Sequence, residues 1–350
     1  MLASTIQIIS IVLLCCAYAS QSLSRSSGTR SINMKAAGGS RPSSPLDSWR
    51  ISLRSMLIPG ILTVTSSLAS RAAGVSAVTV VGANGRTGRK VVALSLKKGV
   101  STIAVTRGGS FADTDTVANS KKLSTVAADI TKLETFGNLK AALKSSSACI
   151  FAASASKEGG SPQDVDRDGL IAVAKACIEC KVPRLIIISS GAVSKPFSSV
   201  YLFLNLFGGI MKAKIEGEDE VRKLYASNEV KEAELSYTII RPGGLTEDEP
   251  RGVSSIELNQ GDERSGRISR WDVAAIAIES LNAKEAADVT LECYYADTAQ
   301  PLANVGISNI FKKTVKDAEG RALTGKERTG TSWEAIFRGL TADTSIAISQ

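Results

Sequence analysis

The chain of 350 residues contains no histidine, and aromatic residues make up only 5% of it. The absence of histidine removes the commonest metal ligand and the commonest general base together. A low aromatic content beside 43% hydrophobic residues is typical of a parallel-sheet protein rich in alanine, valine and isoleucine. The composition therefore predicts an ordinary α/β protein whose chemistry relies on side chains other than histidine.

Acidic residues are scarce at one end of the chain only. The formal net charge is +8, but the excess of basic groups lies mainly in residues 1–74, where Asp47 is the sole acid. The rest of the chain is close to neutral. Because nucleic-acid binding requires a basic surface, no nucleic-acid partner is predicted.

Cysteine is also infrequent, and four cysteines follow the N-terminal segment: Cys149, Cys177, Cys180 and Cys293. The pair Cys177-x-x-Cys180 is compatible with a redox or zinc site. No second pair and no histidine are present to complete a zinc site, so no metal is predicted. Cys177 shares a helical stripe with Leu170 and Val173, which favours a buried structural residue, and a thioredoxin-type target is the alternative.

The most informative segment is AVTVVGANGRTG, residues 77–88. A β-branched run predicts a buried strand, and a helix is predicted after Gly88, so that Gly82, Gly85 and Gly88 lie on the turn between them. In such a turn the first glycine permits the bend, the second lets a pyrophosphate approach the main chain, and the third lets the helix pack closely. The unpaired N–H groups of the helix then face the phosphates. The motif predicts a dinucleotide site.

Beyond residue 75, strands and helices alternate, which predicts a single α/β domain with a doubly wound, Rossmann-like parallel sheet. The domain is predicted to span 75–297, followed by a C-terminal extension, 298–350, with one short helix. The predicted strands lie near 77–81, 102–106, 125–128, 148–152, 184–189, 236–240 and 288–294, and the predicted helices near 87–98, 131–144, 165–181, 208–226, 271–283 and 332–339.

The spacing Gly-x-x-Gly-x-x-Gly resembles that of short-chain dehydrogenase-like proteins, and GANGRTG resembles in particular their atypical, NAD(P)H-binding branch, which includes plant and algal plastid proteins. Four segments carry the resemblance in the family's order: VVGANGRTG, AADITKLETF (127–136), VDRDGLIAVAKACIECKVPRLIIISSGA (165–192) and SYTIIRPGGLTEDE (236–249). The resemblance implies a nicotinamide cofactor and a cleft at the carboxyl ends of the strands.

The cofactor is predicted to be NADP(H). Arg107 ends the second strand where an NAD-selective protein usually has an acid, and a guanidinium there can bind a 2′-phosphate. Arg86 can be a second clamp, and a solvated loop charge is the alternative for Arg107. The full predicted cofactor set is Gly82, Asn84, Gly85, Arg86, Thr87, Gly88, Arg107, Asp129, Ile130, Ala153, Ser154, Lys214, Pro242 and Gly243.

Several of these positions follow from the family resemblance. It implies that Asp129 and Ile130 lie against the adenine, whereas a helix-capping role for Asp129 is the simpler interpretation. Ala153 and Ser154 follow the fourth strand and are expected to line the cleft. Pro242 and Gly243 are expected to turn the chain over the nicotinamide, and a short substrate lid is expected over residues 246–269.

The predicted catalytic residues are Ser189, Ser190, Lys214 and Tyr201. The resemblance implies a serine at 189 or 190 and a lysine at 214. Lys214 also falls on the apolar stripe of its helix, which is costly without an anionic or hydroxyl partner such as a ribose. The tyrosine of the superfamily's Tyr-x-x-x-Lys pair is replaced by Ile210. Tyr201 is the nearby substitute, and packing in the core is its alternative.

Residues 1–74 are predicted to be a targeting region. Gln7–Ala19 is uncharged, mainly apolar and ends in Ala-Tyr-Ala, as a signal peptide does, and residues 20–74 resemble a transit peptide rich in serine and basic residues. Met56–Ala69 is compatible with a lumenal signal, a membrane contact or the end of the transit peptide. Plastid delivery is predicted, with the stroma favoured over a thylakoid-associated place and with secretion as the alternative.

Two functions remain open at this point. One is an NADPH-dependent oxidoreductase that acts on a small carbonyl or enone. The other is a non-catalytic NADP-sensing scaffold or assembly factor in the plastid, which the missing tyrosine favours. A peripheral association with the thylakoid or envelope is compatible with both, and the sequence indicates neither the substrate nor the oligomeric state.

Overall fold

The computed structural model describes residues 75–112, 120–156, 159–306 and 325–343. The predicted targeting region lies outside the described residues, as does much of the predicted C-terminal extension. Within the described ranges, none of the helices is both long enough and apolar enough to cross a membrane.

The strands, in chain order, are β1 (Ala77–Val81), β2 (Ser101–Thr106), β3 (Leu123–Ala127), β4 (Ala148–Phe151), β5 (Arg184–Ile188), β6 (Ser236–Pro242), β7 (Gly244–Thr246), β8 (Ile256–Asn259), β9 (Arg264–Ser265), β10 (Arg267–Ser269), β11 (Val289–Tyr295) and β12 (Gln300–Pro301). Eight of them form one sheet in the order β3-β2-β1-β4-β5-β6-β11-β8. Its pairings are parallel except for the edge strand β8, which runs antiparallel to β11. The strand order reverses between β1 and β4, as in the predicted doubly wound fold.

The α-helices are α1 (Arg86–Lys97), α2 (Phe136–Lys144), α3 (Leu170–Glu179), α4 (Ser199–Asn205), α5 (Ile210–Tyr225), α6 (Asn228–Glu232), α7 (Arg270–Ser280) and α8 (Trp333–Phe337). A π-helical segment, Gln163–Gly169, leads into α3. Helix α1 buries Gly88, Val91, Val92 and Ser95, a spacing that places one helical face on the sheet.

Two apolar layers enclose the sheet, because alternate strand residues point to opposite faces. In β1, Val78 and Val80 pack into the layer that contains α1 and α7, whereas Val81 packs into the layer that contains α2 and α3. In β4, Ile150 and Phe151 divide in the same way. Both faces are buried, which explains why the strands read as continuous apolar runs rather than alternating ones.

The sequence prediction missed part of the segment 246–269. It was expected to be a lid, but Ile256–Asn259 is strand β8 of the main sheet. Leu258 also exchanges two main-chain hydrogen bonds with Arg328, at 2.9 and 2.8 Å, and Ile336 of α8 joins the same apolar layer. Residues near the C-terminus therefore close this edge of the sheet.

We expect Gly88→Ala to destabilise the fold and Gly137→Ala to leave it intact or slightly more stable. A Cβ at residue 88 would lie 2.2 Å from the Gly82 carbonyl oxygen, and the crowding should cost about 1–3 kcal/mol. A Cβ at Gly137, in helix α2, meets nothing within 4 Å, and alanine in a helix gains up to about 1 kcal/mol over glycine. Urea unfolding of both variants measures the difference, and equal midpoints would contradict this packing.

Candidate functional site

The turn between β1 and α1 brings main chain against main chain. Gly82 has a φ of +79°, and a Cβ there would lie 2.6 Å from the Ala153 nitrogen. The Gly85 N–H donates to the Gly82 carbonyl at 2.9 Å and closes the bend. Gly82 and Gly88 therefore have the predicted roles: Gly82 permits the bend, and Gly88 allows the helix to pack closely on the strand.

Helix α1 presents a bare N-terminus at this turn. Gly85 caps it without a side-chain hydrogen bond, and its first turn holds no acidic residue. The N-terminal N–H groups and the positive end of the helix dipole favour an anion. Thr87 lies in this first turn, half-buried. The segment has the chemistry that a pyrophosphate requires.

A first cavity of about 700 Å³ lies at the carboxyl ends of β1 to β4. It is lined by nine of the predicted cofactor residues: Gly82, Asn84, Gly85, Arg86, Arg107, Asp129, Ile130, Ala153 and Ser154. The volume is in the range of small-molecule sites. Residues distant in the sequence thus converge where the strand order reverses, which is where open α/β sheets bind ligands.

Asp129 forms a local turn at the edge of this cavity. Its carboxylate accepts hydrogen bonds from the Thr131 N–H at 3.1 Å and the Thr131 hydroxyl at 2.7 Å. Burial opposes ionisation, but the Thr131 hydrogen bonds and the charges of Lys132 and Arg107 hold the pKa of Asp129 below its usual value. Asp129 therefore stabilises the turn and also lines the cavity.

The Asn84 side chain supports the loop rather than the cavity. Its amide nitrogen donates to the Ser110 carbonyl at 2.9 Å, and its oxygen accepts from the Ala112 N–H at 2.9 Å. These two bonds hold the loop after β2 against the glycine turn. Each polar atom of the side chain has one partner in this loop, and one N–H donor and one acceptor site remain on the amide.

A second cavity, of about 560 Å³, adjoins the carboxyl ends of β5 and β6. Ser190, Pro242 and Gly243 line it: the first is a predicted catalytic residue, and the other two are the positions predicted to turn over the nicotinamide. Arg86 lines both cavities. The two cavities therefore meet at the glycine turn, as the two halves of a dinucleotide site do.

The four predicted catalytic residues do not converge. Of these, Ser190 lines the second cavity, whereas Ser189, Lys214 and Tyr201 line neither of the two cavities. Among the predicted cofactor residues, Thr87, Gly88 and Lys214 also line neither. Among these residues, Ser189, Lys214 and Tyr201 have partners within the fold.

Ser189 belongs to a buried ionic cluster. Its hydroxyl donates to the Glu218 carboxylate, which also accepts from Arg241 at 2.6 Å and from Arg222 at 2.9 Å. Burial opposes the charge of Glu218, but Arg241 and Arg222 hold its pKa below the usual value. Between the two neighbouring serines, the structure thus commits Ser189 to the fold and leaves Ser190 at the cavity.

Lys214 forms a buried ion pair with Asp166. Its Nζ lies 2.6 Å from one carboxylate oxygen, and only 8% of Lys214 is exposed. Asp166 also accepts from the Ser154 hydroxyl and the Ala155 N–H, both at 2.8 Å. The partner that the prediction required is present in the fold as Asp166. Through Ser154, the pair supports the wall of the first cavity.

Tyr201 packs in a small apolar cluster with Val193, Met211 and Leu302. The structure therefore follows the packing alternative for this side chain. Its neighbours Val200 and Leu204 line the second cavity, so that helix α4 forms one wall of it.

Asp166, Arg267 and Arg270 are the site residues that the sequence analysis missed. Asp166 lies in the π-helical segment, and π-helical turns are frequent at functional sites. Gly217 of α5 permits the close approach, since a Cβ there would lie 2.7 Å from the Asp166 carbonyl oxygen. The sequence feature that points to Asp166 is the segment VDRDG, which belongs to one of the four segments that resemble the family.

The cysteines do not form a second site. Cys149, Cys177, Cys180 and Cys293 are free thiols, and Cys177 is fully buried in α3. Its contact with Cys149, together with burial, raises the pKa of the Cys177 thiol. In the part of the chain that the structure describes, no group of three or more cysteine, aspartate and glutamate side chains has a metal-binding arrangement.

The sheet order, the glycine turn and the paired cavities define a Rossmann-like dinucleotide-binding protein. The profile of a family described as NAD(P)H-binding matches residues 82–284, more than half of the chain. The chain belongs to this NAD(P)H-binding family, and the resemblance stated from the sequence is confirmed.

Individual relatives agree with this placement. A protein of Arabidopsis thaliana named as chloroplastic is 31% identical over 223 residues, which cover 61% of this chain and 75% of the relative. A protein of Saccharomyces cerevisiae is 30% identical over 216 residues, 58% of this chain and 86% of the relative. A short-chain dehydrogenase/reductase from Veillonella parvula in complex with NADP has a TM-score of 0.51, at 18% identity, over 64% of this chain and 96% of that chain, and it supports the fold alone.

We expect Lys214→Met to destabilise the protein strongly and Lys212→Met to change little. Removal of one partner from a buried ion pair leaves an uncompensated charge, Asp166, and costs about 3–5 kcal/mol. Lys212, two residues away on the same helix, is exposed and lies 3.8 Å from Glu216, so that its loss should cost less than about 1 kcal/mol. Chemical denaturation without any coenzyme measures both, and an unchanged stability of Lys214→Met would show that the pair is not structural.

Proposed function

We propose that this chain binds NADP(H) and reduces a small carbonyl or enone substrate. The observation that carries the proposal is the meeting of the two cavities at Arg86, one with the features of a dinucleotide site and the other with a serine hydroxyl at its wall. When bound, a reduced nicotinamide dinucleotide supplies a hydride. The second cavity then provides space for its acceptor beside Ser190, Pro242 and Gly243.

The chain's own part in such a reduction is to hold the substrate and its developing charge. As hydride adds to the electrophilic carbon, negative charge develops on the carbonyl oxygen. The Ser190 hydroxyl donates to the Gly191 carbonyl oxygen at 3.1 Å, and after rotation it can donate to the substrate oxygen instead. Arg86 places a positive charge at the same cavity. The proton that completes the reduction comes from solvent, since Tyr201 packs in the apolar cluster.

The preference for NADP(H) over NAD(H) rests on Arg107. This residue follows β2, is exposed and lines the first cavity close enough to Asp129 to lower its pKa. A guanidinium at this place can bind a 2′-phosphate through two parallel hydrogen bonds.

A non-catalytic role as an NADP-sensing scaffold or assembly factor is the second candidate. The specific observation in its favour is the engagement of Ser189, Lys214 and Tyr201 in the fold. Of the predicted catalytic set, Ser190 alone lines one of the two cavities described above. A protein of this kind would bind the coenzyme but would not catalyse the reduction of any substrate.

We further propose that the protein acts in a plastid, with the stroma favoured. The composition of residues 1–74 supports this, and a relative from Arabidopsis thaliana is named as chloroplastic. A fluorescent protein fused behind residues 1–74 should enter plastids of an algal host, and its secretion would contradict the proposal.

Peripheral association with an anionic thylakoid or envelope surface is also proposed. A group of large apolar side chains is exposed beside the second cavity: Phe197, Leu202, Leu206 and Phe207. Lys195 and Lys212 accompany them, and the segment 185–215 contains no acidic residue. Co-sedimentation with anionic vesicles tests this, and equal recovery with and without vesicles would exclude it.

We expect NADPH to raise the melting temperature more than NADH does, and Arg107→Ala to remove the difference. Loss of a charge-assisted hydrogen bond should weaken NADPH binding about tenfold or more, whereas NADH binding should not change. Thermal shift and calorimetry of both variants with both coenzymes make the measurement. A protein that responds to neither coenzyme would refute the proposed function, and equal responses to both would refute only the NADP preference.

We expect Ser190→Ala to lower kcat about 100-fold in the reduction of a reactive carbonyl, with NADPH affinity unchanged. Ser189→Ala is the matched control: loss of its hydrogen bond to Glu218 should cost about 1–3 kcal/mol of stability but little activity. NADPH oxidation against a panel of aldehydes, ketones and enones makes the measurement. If NADPH binds and no compound is reduced, the scaffold alternative is correct.

A further inference from the structure

We propose that the second cavity binds a substrate that carries a carboxylate next to an apolar body. The proposal rests on the proposed reductase function, since it names the class of molecule that the same cavity takes. Three arginines line this cavity, Arg86, Arg267 and Arg270, and none of its lining residues in the described part of the chain is acidic. The wall therefore carries three cationic groups in a chain that is close to neutral beyond residue 74.

The position of Arg270 is unfavourable unless an anion is near. Arg270 is the first residue of α7, at the positive end of the helix dipole, which repels a cation. It is also only 6% exposed, and burial together with the charge of Arg86 lowers the pKa of Arg270. Arg241, which is equally buried, contrasts with it, because carboxylates led by Glu218 raise the pKa of Arg241 despite its burial.

Arg267 is held in place by a strand ladder. It lies opposite Gly244 in the parallel pairing of β10 with β7. A Cβ at Gly244 would lie 3.0 Å from the Arg267 Cδ, and one at Gly243 would lie 2.4 Å from the Gly266 carbonyl oxygen. Gly244 thus leaves room for the Arg267 side chain along the cavity wall, and Gly243 lets the main chain of Gly266 approach. Arg267 begins strand β10, and Arg270 begins helix α7 three residues later. The strand and the helix therefore fix the relative positions of the two Cα atoms.

Glu247 shows that a carboxylate can lie against Arg270, with Arg86 on its other side. One of its carboxylate oxygens lies 2.8 Å from Arg270 and 3.7 Å from Arg86. The Glu247 side chain is 55% exposed, and that of Arg86 is 76% exposed, so both can move without opening the core. An incoming carboxylate can take the place of Glu247, which then turns to solvent. The arginines are in this way neutralised before and after binding.

The remaining wall defines the rest of the ligand. Val200, Leu204, Leu245 and Val305 line the cavity with apolar side chains. A volume of about 560 Å³ accommodates a small organic molecule. The ligand is therefore amphipathic, with its carboxylate at Arg270 in the place of Glu247, Arg267 on the same wall, and its reducible group toward Ser190.

The experiment compares acids with their methyl esters on the full chain loaded with NADP⁺, which cannot donate a hydride, so that binding is measured without turnover. The probes are 4-formylbenzoate and 4-formylcinnamate, each beside its methyl ester, with calorimetry as the readout. We expect the acid to bind about tenfold or more tightly than the ester. We expect Arg270→Gln and Arg267→Gln to remove this difference in affinity. Glu247→Gln should increase it, and since Glu247 is exposed, this substitution does not disturb the core. Arg338→Gln, which removes an exposed charge on the C-terminal helix, is the control and should change nothing.

Equal binding of acid and ester, or binding of neither in both pairs, would overturn the inference. So would displacement of the acid by inorganic phosphate at similar concentration, or competition of the acid with NADP⁺ itself. Failure of the proposed function gives a different result, because the protein would then show no thermal response to NADP⁺ or NADPH before any acid is added.

Discussion

The close approach of helix α1 to the end of strand β1 is the constraint on which the rest of the site depends. A side chain at residue 82 or 88 would fill space that the main chain of Ala153 and the carbonyl of Gly82 already occupy. Because both positions lack a Cβ, the helix begins directly beside the point where the strand order reverses. Its unpaired N–H groups therefore lie at the junction of the two cavities, with Arg86 as the first residue of the helix. The dinucleotide site is a consequence of this packing as much as of any side chain.

Buried charge in this protein takes two forms that a sequence does not distinguish. Lys214 with Asp166, and Arg241 with Glu218, have partners that are themselves buried and fixed by the fold. Such pairs stabilise a unique arrangement only as long as both members are present. Arg270 instead pairs with Glu247, whose side chain is more than half exposed. The first form holds helix α5 to the sheet and to the π-helical segment, and the second leaves a positively charged wall that a ligand can use.

Much of the fold was accessible to prediction, since buried strands such as β1 and β5 are short apolar runs bounded by glycine, proline or serine. Strand β8 was missed because four residues within a polar segment carry too little pattern, and their burial comes from contacts with β11 and the C-terminal residues. The helix predicted over 131–144 begins at Phe136 instead, because Asp129 and Thr131 form a turn and Leu133–Thr135 is a 3₁₀ segment. Helix α4 was missed for a similar reason: its apolar residues are divided between the core, the second cavity and the surface, so that no single stripe marks it.

The sequence by itself determined the class of protein, because three spaced glycines between a strand and a helix combine a tight bend, an approach of main chain to phosphate and close packing of the helix. It also determined that Lys214 needs an anionic or hydroxyl partner, since an ammonium group on an apolar helix face is unstable alone. Only the tertiary structure decided that this partner is Asp166 and which of the two adjacent serines lines a cavity. It also decided that Arg86, Arg267 and Arg270 line the same cavity. These contacts depend on which strands and helices pack together, and a local sequence pattern does not indicate contacts between residues that are far apart in the chain.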